Sequence, residues 1–299
     1  MGTDHRLITT SGGPVEVVVQ GGPGDPVLYF HGGHESATVI PAAAPYMELG
    51  CCVVSMSRPG YGSTEVGHLS PAGFGPLVDQ VRDQLGREQF VAVVGTSFGG
   101  QQAVEYAVRF PDRVRGRVLH SAAPSTRPYP DSAVQRLGAP IVFHPRVERL
   151  TWRAISKLLR TAPELGLRAM MASLSTRPVS SWLPDLDPIE RQEMRETFTM
   201  MRSGSGFVTD LSNAGPGGAR TRRRAQQQVT CPTLVTASRA DGGVAWHHAE
   251  DFRATIAGAR LVEIPAPSHL YWIGPAKAQL SATVAAFLAT LPRRPRHRD

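Results

Sequence analysis

Cysteine is scarce in this chain, with three in 299 residues: Cys51 and Cys52 are adjacent and Cys231 stands far away. An adjacent pair plus one distant residue makes neither a disulfide framework nor a metal-ligand spacing, so no stapled scaffold and no metal site is expected. Lysine is scarcer still, at two against 30 arginines. No apolar run approaches the roughly 18 residues of a membrane span. The opening Met1-Gly2-Thr3-Asp4-His5-Arg6 lacks the apolar core of a secretory signal. A cytoplasmic protein without a membrane partner is expected. The 32 basic residues outnumber the 25 acidic ones, but no nucleic-acid-binding motif accompanies them, so nucleic acid is not expected as a partner. No internal repeat is visible. Glycine and proline, at 30 and 25, are plentiful and point to a loop-rich architecture.

The most informative segment is Val91-Ala92-Val93-Val94-Gly95-Thr96-Ser97-Phe98-Gly99-Gly100, followed by the helical stretch Gln101–Ala107. A β-branched run of strand length ends in Gly-x-Ser-x-Gly and a helix begins at once. In that context the pattern describes a nucleophile elbow, a turn so tight that its serine takes strained backbone angles. Gly95 and Gly99 are needed there because a Cβ at either position would strike the neighbouring strand or helix. Ser97 is the candidate nucleophile.

A serine hydroxyl needs a base and a carboxylate to orient that base. In hydrolases built on such an elbow the chain order is serine, acid, histidine. Thr233–Ala237 reads as a strand and leads to Ser238-Arg239-Ala240-Asp241; Arg260–Pro265 reads as another and leads to Ala266-Pro267-Ser268-His269. Asp241 and His269 are therefore the expected acid and base. His247 and His248 are expected to face solvent, and His120, at the end of a strand, could approach the site. An earlier strand, Pro26–Phe30, runs into His31-Gly32-Gly33-His34. The N–H groups of Gly33 and of Phe98, the residue after the nucleophile, are the expected oxyanion donors. His31 either braces this loop or joins the chemistry, and bracing is preferred.

Taken together, these segments resemble the α/β-hydrolase superfamily over nearly the whole chain. His31-Gly32-Gly33 looks like its oxyanion loop, and Ser57-Arg58-Pro59-Gly60-Tyr61-Gly62-Ser63 looks like its Asp-x-Arg-Gly-x-Gly-x-Ser turn. The elbow and the Asp241 and His269 loops complete the set. Within the superfamily the chain looks nearest to proline iminopeptidase-like and esterase members. It departs from the iminopeptidase signature His-Gly-Gly-Pro-Gly, because Gly33 is followed by His34-Glu35. The resemblance implies an α/β-hydrolase fold: a mostly parallel central sheet flanked by helices, with an inserted α-helical cap. A serine at the elbow points to attack on an acyl carbon rather than displacement at saturated carbon.

Residues 1–123 and 230–291 are read as the two parts of the core, 124–229 as the cap, and 292–299 as a basic disordered tail. Val15–Val19 and Val27–Phe30 read as an antiparallel hairpin around Gly21–Asp25. Helical stretches such as Trp152–Thr161 and Ile189–Arg202 fill the cap. It carries 16 basic against 9 acidic residues, densest at Arg220, Arg222, Arg223 and Arg224. These arginines are either an attractor for anionic substrates or a solvated face. His34, Trp152, Trp182 and Phe198 are candidates for lining an apolar substrate pocket.

The expected activity is hydrolysis of a small to medium, largely apolar ester, lactone, thioester or amide through an acyl-enzyme, with no cofactor. The partner is a small-molecule acyl substrate, and a monomer or homodimer is expected. Carbon–carbon bond hydrolysis, acyl transfer or cyclisation would use the same triad. A ligand-binding protein on a hydrolase scaffold is the reading from another class.

Overall fold

Eight strands form one sheet in this structure, a computed structural model that describes residues 2–131 and 133–292. They are β1 (Asp4–Thr10), β2 (Gly13–Gly21), β3 (Pro26–Phe30), β4 (Cys52–Met56), β5 (Ala92–Thr96), β6 (Arg117–His120), β7 (Thr233–Ala237) and β8 (Arg260–Glu263). The spatial order is β1-β2-β4-β3-β5-β6-β7-β8. β1–β2 and β2–β4 pair antiparallel, and every pair from β4–β3 onward is parallel. The expected hairpin between β2 and β3 does not form. β2 pairs instead with β4, Val17 opposite Met56, and β3 slots in parallel between β4 and β5. β1 was not anticipated at all: it is an edge strand whose side chains are mostly exposed, so it lacks an apolar signature.

The central strands β4, β5 and β7 are buried along their whole length, as parallel strands covered on both faces must be. Their side chains alternate between two cores. Leu28, Phe30, Val54 and Val93 face one side. There they meet α2 (Pro71–Gln84) and α3 (Gly99–Arg109), preceded in the chain by the short α1 (Ala44–Glu48). Val27, Tyr29, Val53 and Val94 face the other side, against Tyr46 of α1. α2 starts where Ser70 Oγ accepts the Gly73 N–H at 3.2 Å and Pro71 takes the first helical position.

Between β6 and β7 the chain runs through α4 (Ala133–Val142), α5 (Glu148–Thr161), α6 (Pro163–Met171), α7 (Pro188–Met200), α8 (Gly206–Asn213) and α9 (Ala219–Gln227). α5, α6 and α7 enclose an apolar core around Trp152, Leu159, Leu167, Met171 and Phe198, joined by Leu270 and Ile273 from the loop after β8. α4 and α8 instead pack Ala139, Phe207 and Leu211 with Tyr61 and Phe98. α7 is opened by a capping box between Asp187 and Glu190. α9 packs instead with α3 and with α10 (His247–Thr255), and its Ala225 joins the sheet's core. The last helix, α11 (Ala276–Thr290), lays Leu280, Val284 and Phe287 on the face opposite α3. The expected basic tail lies, from residue 293 on, outside the described residues. Among the described residues no helix is long and apolar enough to cross a membrane.

Candidate active site

The loops that leave the carboxyl ends of β3, β5, β7 and β8 converge above the sheet, where α/β folds gather their chemistry. Ser97 sits in the turn from β5 to α3 with φ +51°, a left-handed conformation that residues with side chains avoid. Close approach by its neighbours imposes it. A Cβ on Gly95 would stand 2.5 Å from the Gly99 carbonyl oxygen, and one on Gly99 would stand 2.3 Å from that of Phe30. Ser97 N–H donates to the His120 carbonyl at 3.0 Å, and Ser97 O accepts from Ala123 N–H at 3.1 Å. The side chain lines a cavity of about 350 Å³, at the N-terminal end of α3.

His269 lines the same cavity. Its Nδ1 is 2.8 Å from Asp241 Oδ2, while Asp241 Oδ1 accepts the N–H groups of Gly243 at 2.8 Å and Val244 at 2.7 Å. A carboxylate that only accepts assigns the proton to Nδ1 and leaves the Nε2 lone pair free. Burial opposes the imidazolium, but the Asp241 carboxylate and, more weakly, Glu35 outweigh it, so the pKa of His269 is raised above its ordinary value. No hydrogen bond joins Ser97 Oγ to His269 Nε2 among the described residues. Such contacts are commonly long in empty sites and tighten with substrate. An imidazole held this way can take a proton from a hydroxyl once the two are brought together.

Gly33 and Phe98 also line the cavity, and neither backbone N–H has an acceptor among the described residues. The Gly32 N–H, by contrast, is used: it donates to Glu35 Oε2 at 2.7 Å. The loop is held from behind by Arg58, whose Nε donates to His31 O at 3.0 Å and Nη2 to Gly32 O at 2.9 Å. Arg58 N–H donates to His31 Nε2 at 3.0 Å. His31 is thus a brace, and burial followed by the Arg58 charge holds its pKa well below the usual histidine range.

Asp210 of α8 clamps the same guanidinium at 2.5 and 2.9 Å and accepts the Tyr61 hydroxyl at 2.5 Å. Sequence reasoning missed Asp210 because its partner is 152 positions away. It also missed a second tie: Leu174 O accepts the N–H of Gly242 at 3.1 Å and of His269 at 2.7 Å, stitching the inserted segment to the loops after β7 and β8.

The cavity's other walls are aromatic. His34, at φ +67°, packs its ring 3.9 Å from Phe207 and 4.3 Å from Phe143, centroid to centroid. Its Nδ1 lies 2.8 Å from Ser203 Oγ, which also accepts the Trp152 Nε1–H at 2.8 Å. Burial, then the Arg58 charge, pushes the pKa of His34 down to about 3, so it is a neutral, shape-giving group. Trp152 and Phe198 line the cavity as well.

Trp182 does not line it. It is buried with Leu183 and Leu186 in the inserted helices' own core, the commoner fate of an aromatic residue at helical spacing.

Three further expectations are corrected. His248 is fully buried rather than solvent-facing: its Nδ1 accepts from Ser125 N–H at 3.2 Å, and its Nε2 stands 3.2 Å from Asp131 Oδ1. His247, half-buried beside it, reaches the same carboxylate oxygen at 2.9 Å. These three residues are close enough to share a metal ion. The Ser125 N–H, however, requires the lone pair on Nδ1 and so puts the proton on Nε2, which stands near Asp131 without a hydrogen-bond partner and has no lone pair to offer a metal. His120 is locked in the core between Tyr46 Oη at 2.7 Å and Thr236 Oγ1 at 2.6 Å, away from the cavity. Arg222 is buried, with its guanidinium donating to the carbonyls of Ser125, Asn213 and Gly215. It ties α9 to the loop after β6 and is no part of a surface attractor. Arg220, Arg223 and Arg224 are exposed.

Comparison with known proteins matches residues 25–274 to the family described as the alpha/beta hydrolase fold. A Bacillus subtilis protein, the uncharacterized hydrolase YcgS, is 33% identical over 285 residues, 95% of this chain and 98% of that one. An alpha/beta hydrolase fold protein from Nakamurella multipartita superposes with a TM-score of 0.79 at 25% identity, covering 95% of this chain and 99% of its own. A thermophilic esterase from Thermogutta terrifontis shares the fold at a TM-score of 0.67 and 20% identity, covering 97% and 98%.

Proposed function

The chain belongs to the α/β-hydrolase family, and from that premise we propose that it is a serine hydrolase acting on small to medium, largely apolar acyl esters or related acyl compounds. Ser97 Oγ attacks the acyl carbon while His269 Nε2 takes its proton, and Asp241 holds the imidazole in the accepting tautomer. The oxyanion forms between the Gly33 and Phe98 N–H groups, which carry no other acceptor and lie in a site of low dielectric. His269 then returns the proton to the leaving group, and water resolves the acyl-enzyme by the same steps in reverse order. Neutral His34 with Phe143, Trp152, Phe198 and Phe207 forms a largely apolar wall for the acyl group. In this reading the cap comprises the helices α4–α8, and α9 belongs with the core it packs on.

One observation carries the proposal: a serine held at positive φ by its neighbours shares a cavity with a histidine whose far nitrogen is bonded to a buried carboxylate. The test is covalent. A fluorophosphonate probe should modify Ser97 alone, located by peptide mass spectrometry, and Ser97→Ala should lose ester hydrolysis by about 10⁴-fold or more. Labelling elsewhere, with activity kept in the alanine variant, would remove Ser97 from its role.

A further inference from the structure

Glu35 takes no part in the mechanism above, yet it is buried and forms part of the cavity wall. Its Oε2 accepts the Gly32 N–H at 2.7 Å, and its Oε1 has no hydrogen-bond partner among the described residues. Gly32 is all that separates it from the nucleophile: a Cβ there would lie 3.2 Å from Glu35 Oε2 and 3.3 Å from Ser97 Cβ. The two nearby cations do not pair with it. Arg58 is occupied by the carbonyls of His31 and Gly32 and by Asp210, and His269 is bonded to Asp241. Glu35 Oε1 is not among the fully buried unpartnered atoms and so keeps surface of its own, in a residue that lines an aromatic pocket, where it is free to meet a polar group of a ligand.

Resting on the serine-hydrolase reading, we propose that Glu35 determines specificity by binding a hydroxyl group on the acyl part of the substrate, one or two carbons from the scissile carbonyl. The short path across Gly32 to Ser97 sets that position. Burial, opposed by the Gly32 N–H and by His269 and Arg58, pushes the Glu35 pKa up to about 7, so both protonation states are present near neutrality. A hydroxyl serves both: it donates to the carboxylate and accepts from the carboxylic acid. An ammonium group would serve only the ionised form, and it would stand near His269 as that ring becomes a cation during attack. A hydroxyl brings no such penalty.

The test compares methyl butyrate with methyl 2-hydroxybutyrate, methyl 3-hydroxybutyrate and methyl 2-aminobutyrate, using the full chain and titrating released acid. Wild type should favour one of the hydroxy esters over methyl butyrate by about 10- to 100-fold in kcat/KM, the range of one hydrogen bond to an ionisable group. Glu35→Met should abolish that preference. Glu35→Gln, which keeps an acceptor for the Gly32 N–H, should reduce it to a few-fold; it carries the test if thermal melting shows the methionine variant unfolded. A preference that survives both substitutions, or an amino ester favoured over both hydroxy esters, overturns the proposal. So does labelling of Ser97 by the probe without faster turnover of either hydroxy ester. Failure of labelling together with loss of all ester hydrolysis would instead overturn the underlying catalytic reading.

Discussion

The sheet and the helices inserted after β6 build opposite walls of one cavity by different means. On the sheet side, backbone geometry sets each group: the left-handed Ser97, the Gly32 and Gly33 loop braced by Arg58, and Asp241 held by two N–H groups. On the inserted side the wall is side-chain surface, and eight of the ten large apolar residues that stand exposed among the described residues belong to this region. Leu137 and Ile141 of α4 are each more than 70% exposed. Polar ties join the halves at several points, among them Asp210 to Arg58, Ser203 to His34, the Arg202 N–H to His34 O, and Leu174 O to the Gly242 and His269 N–H groups. In the proposed reading the chemistry lies on the sheet side and the shape of the pocket on the inserted side. Replacements on the two sides should differ in kind.

The largest separation is expected at Asp241. In Asp241→Asn the amide oxygen can keep the Gly243 and Val244 N–H groups, but its NH₂ faces His269 Nδ1. The ring then carries its proton on Nε2 and cannot accept one from Ser97. Turnover should fall by about 10³- to 10⁴-fold with the fold retained. Circular dichroism and kcat measured together decide it: near-normal turnover in a folded variant would remove Asp241 as the orienting group.

A change on the opposite wall should be smaller and selective. Phe143 lines the cavity and packs against His34 and Trp152. Phe143→Ala should lengthen the pocket and shift the ratio of kcat/KM for octanoyl over butyryl esters upward by about tenfold, the scale of one or two methylenes newly accommodated. The division of labour breaks down if this variant loses turnover on every chain length as severely as Asp241→Asn does.

What was readable in the sequence follows the same boundary. The elbow is legible because its glycines answer to contacts within a few residues, Gly95 against Gly99 and Gly100. The positions of Asp241 and His269 are legible because each follows a strand of clear apolar character. The burial of Arg58, Arg222 and His248 is not, since each has a partner 97 or more positions away, and polar side chains give no local sign of such partners. The pairing of β2 with β4 escapes for a related reason. A glycine-rich turn between two strands reads as a hairpin, while the real partner is set by the crossover that brings β3 between β4 and β5. Trp182 and Trp152 look alike in sequence and share one core, and only packing lets Trp152 also line the cavity.

The smallest effect is expected where charge is densest. Arg220, Arg223 and Arg224 are exposed on α9 or at its start, and α9 packs on α3 and α10 rather than over the cavity. Exposed charges act on a substrate only within a screening distance of roughly 8 Å at physiological ionic strength, and none of the three lines the cavity. Replacing all three by glutamine should change kcat/KM for an anionic succinyl ester by less than about twofold, with stability altered by no more than about 0.5 kcal/mol per site. The buried neighbour Arg222 must be left intact in this test, because its guanidinium supplies the only side-chain donors to the Ser125, Asn213 and Gly215 carbonyls among the described residues. A neutral butyryl ester is the control. If the anionic ester alone slowed by tenfold or more, and added salt erased the difference, the arginines of α9 would be steering substrate. The inserted region would then contribute charge as well as shape, and the contrast between the two walls would need to be redrawn.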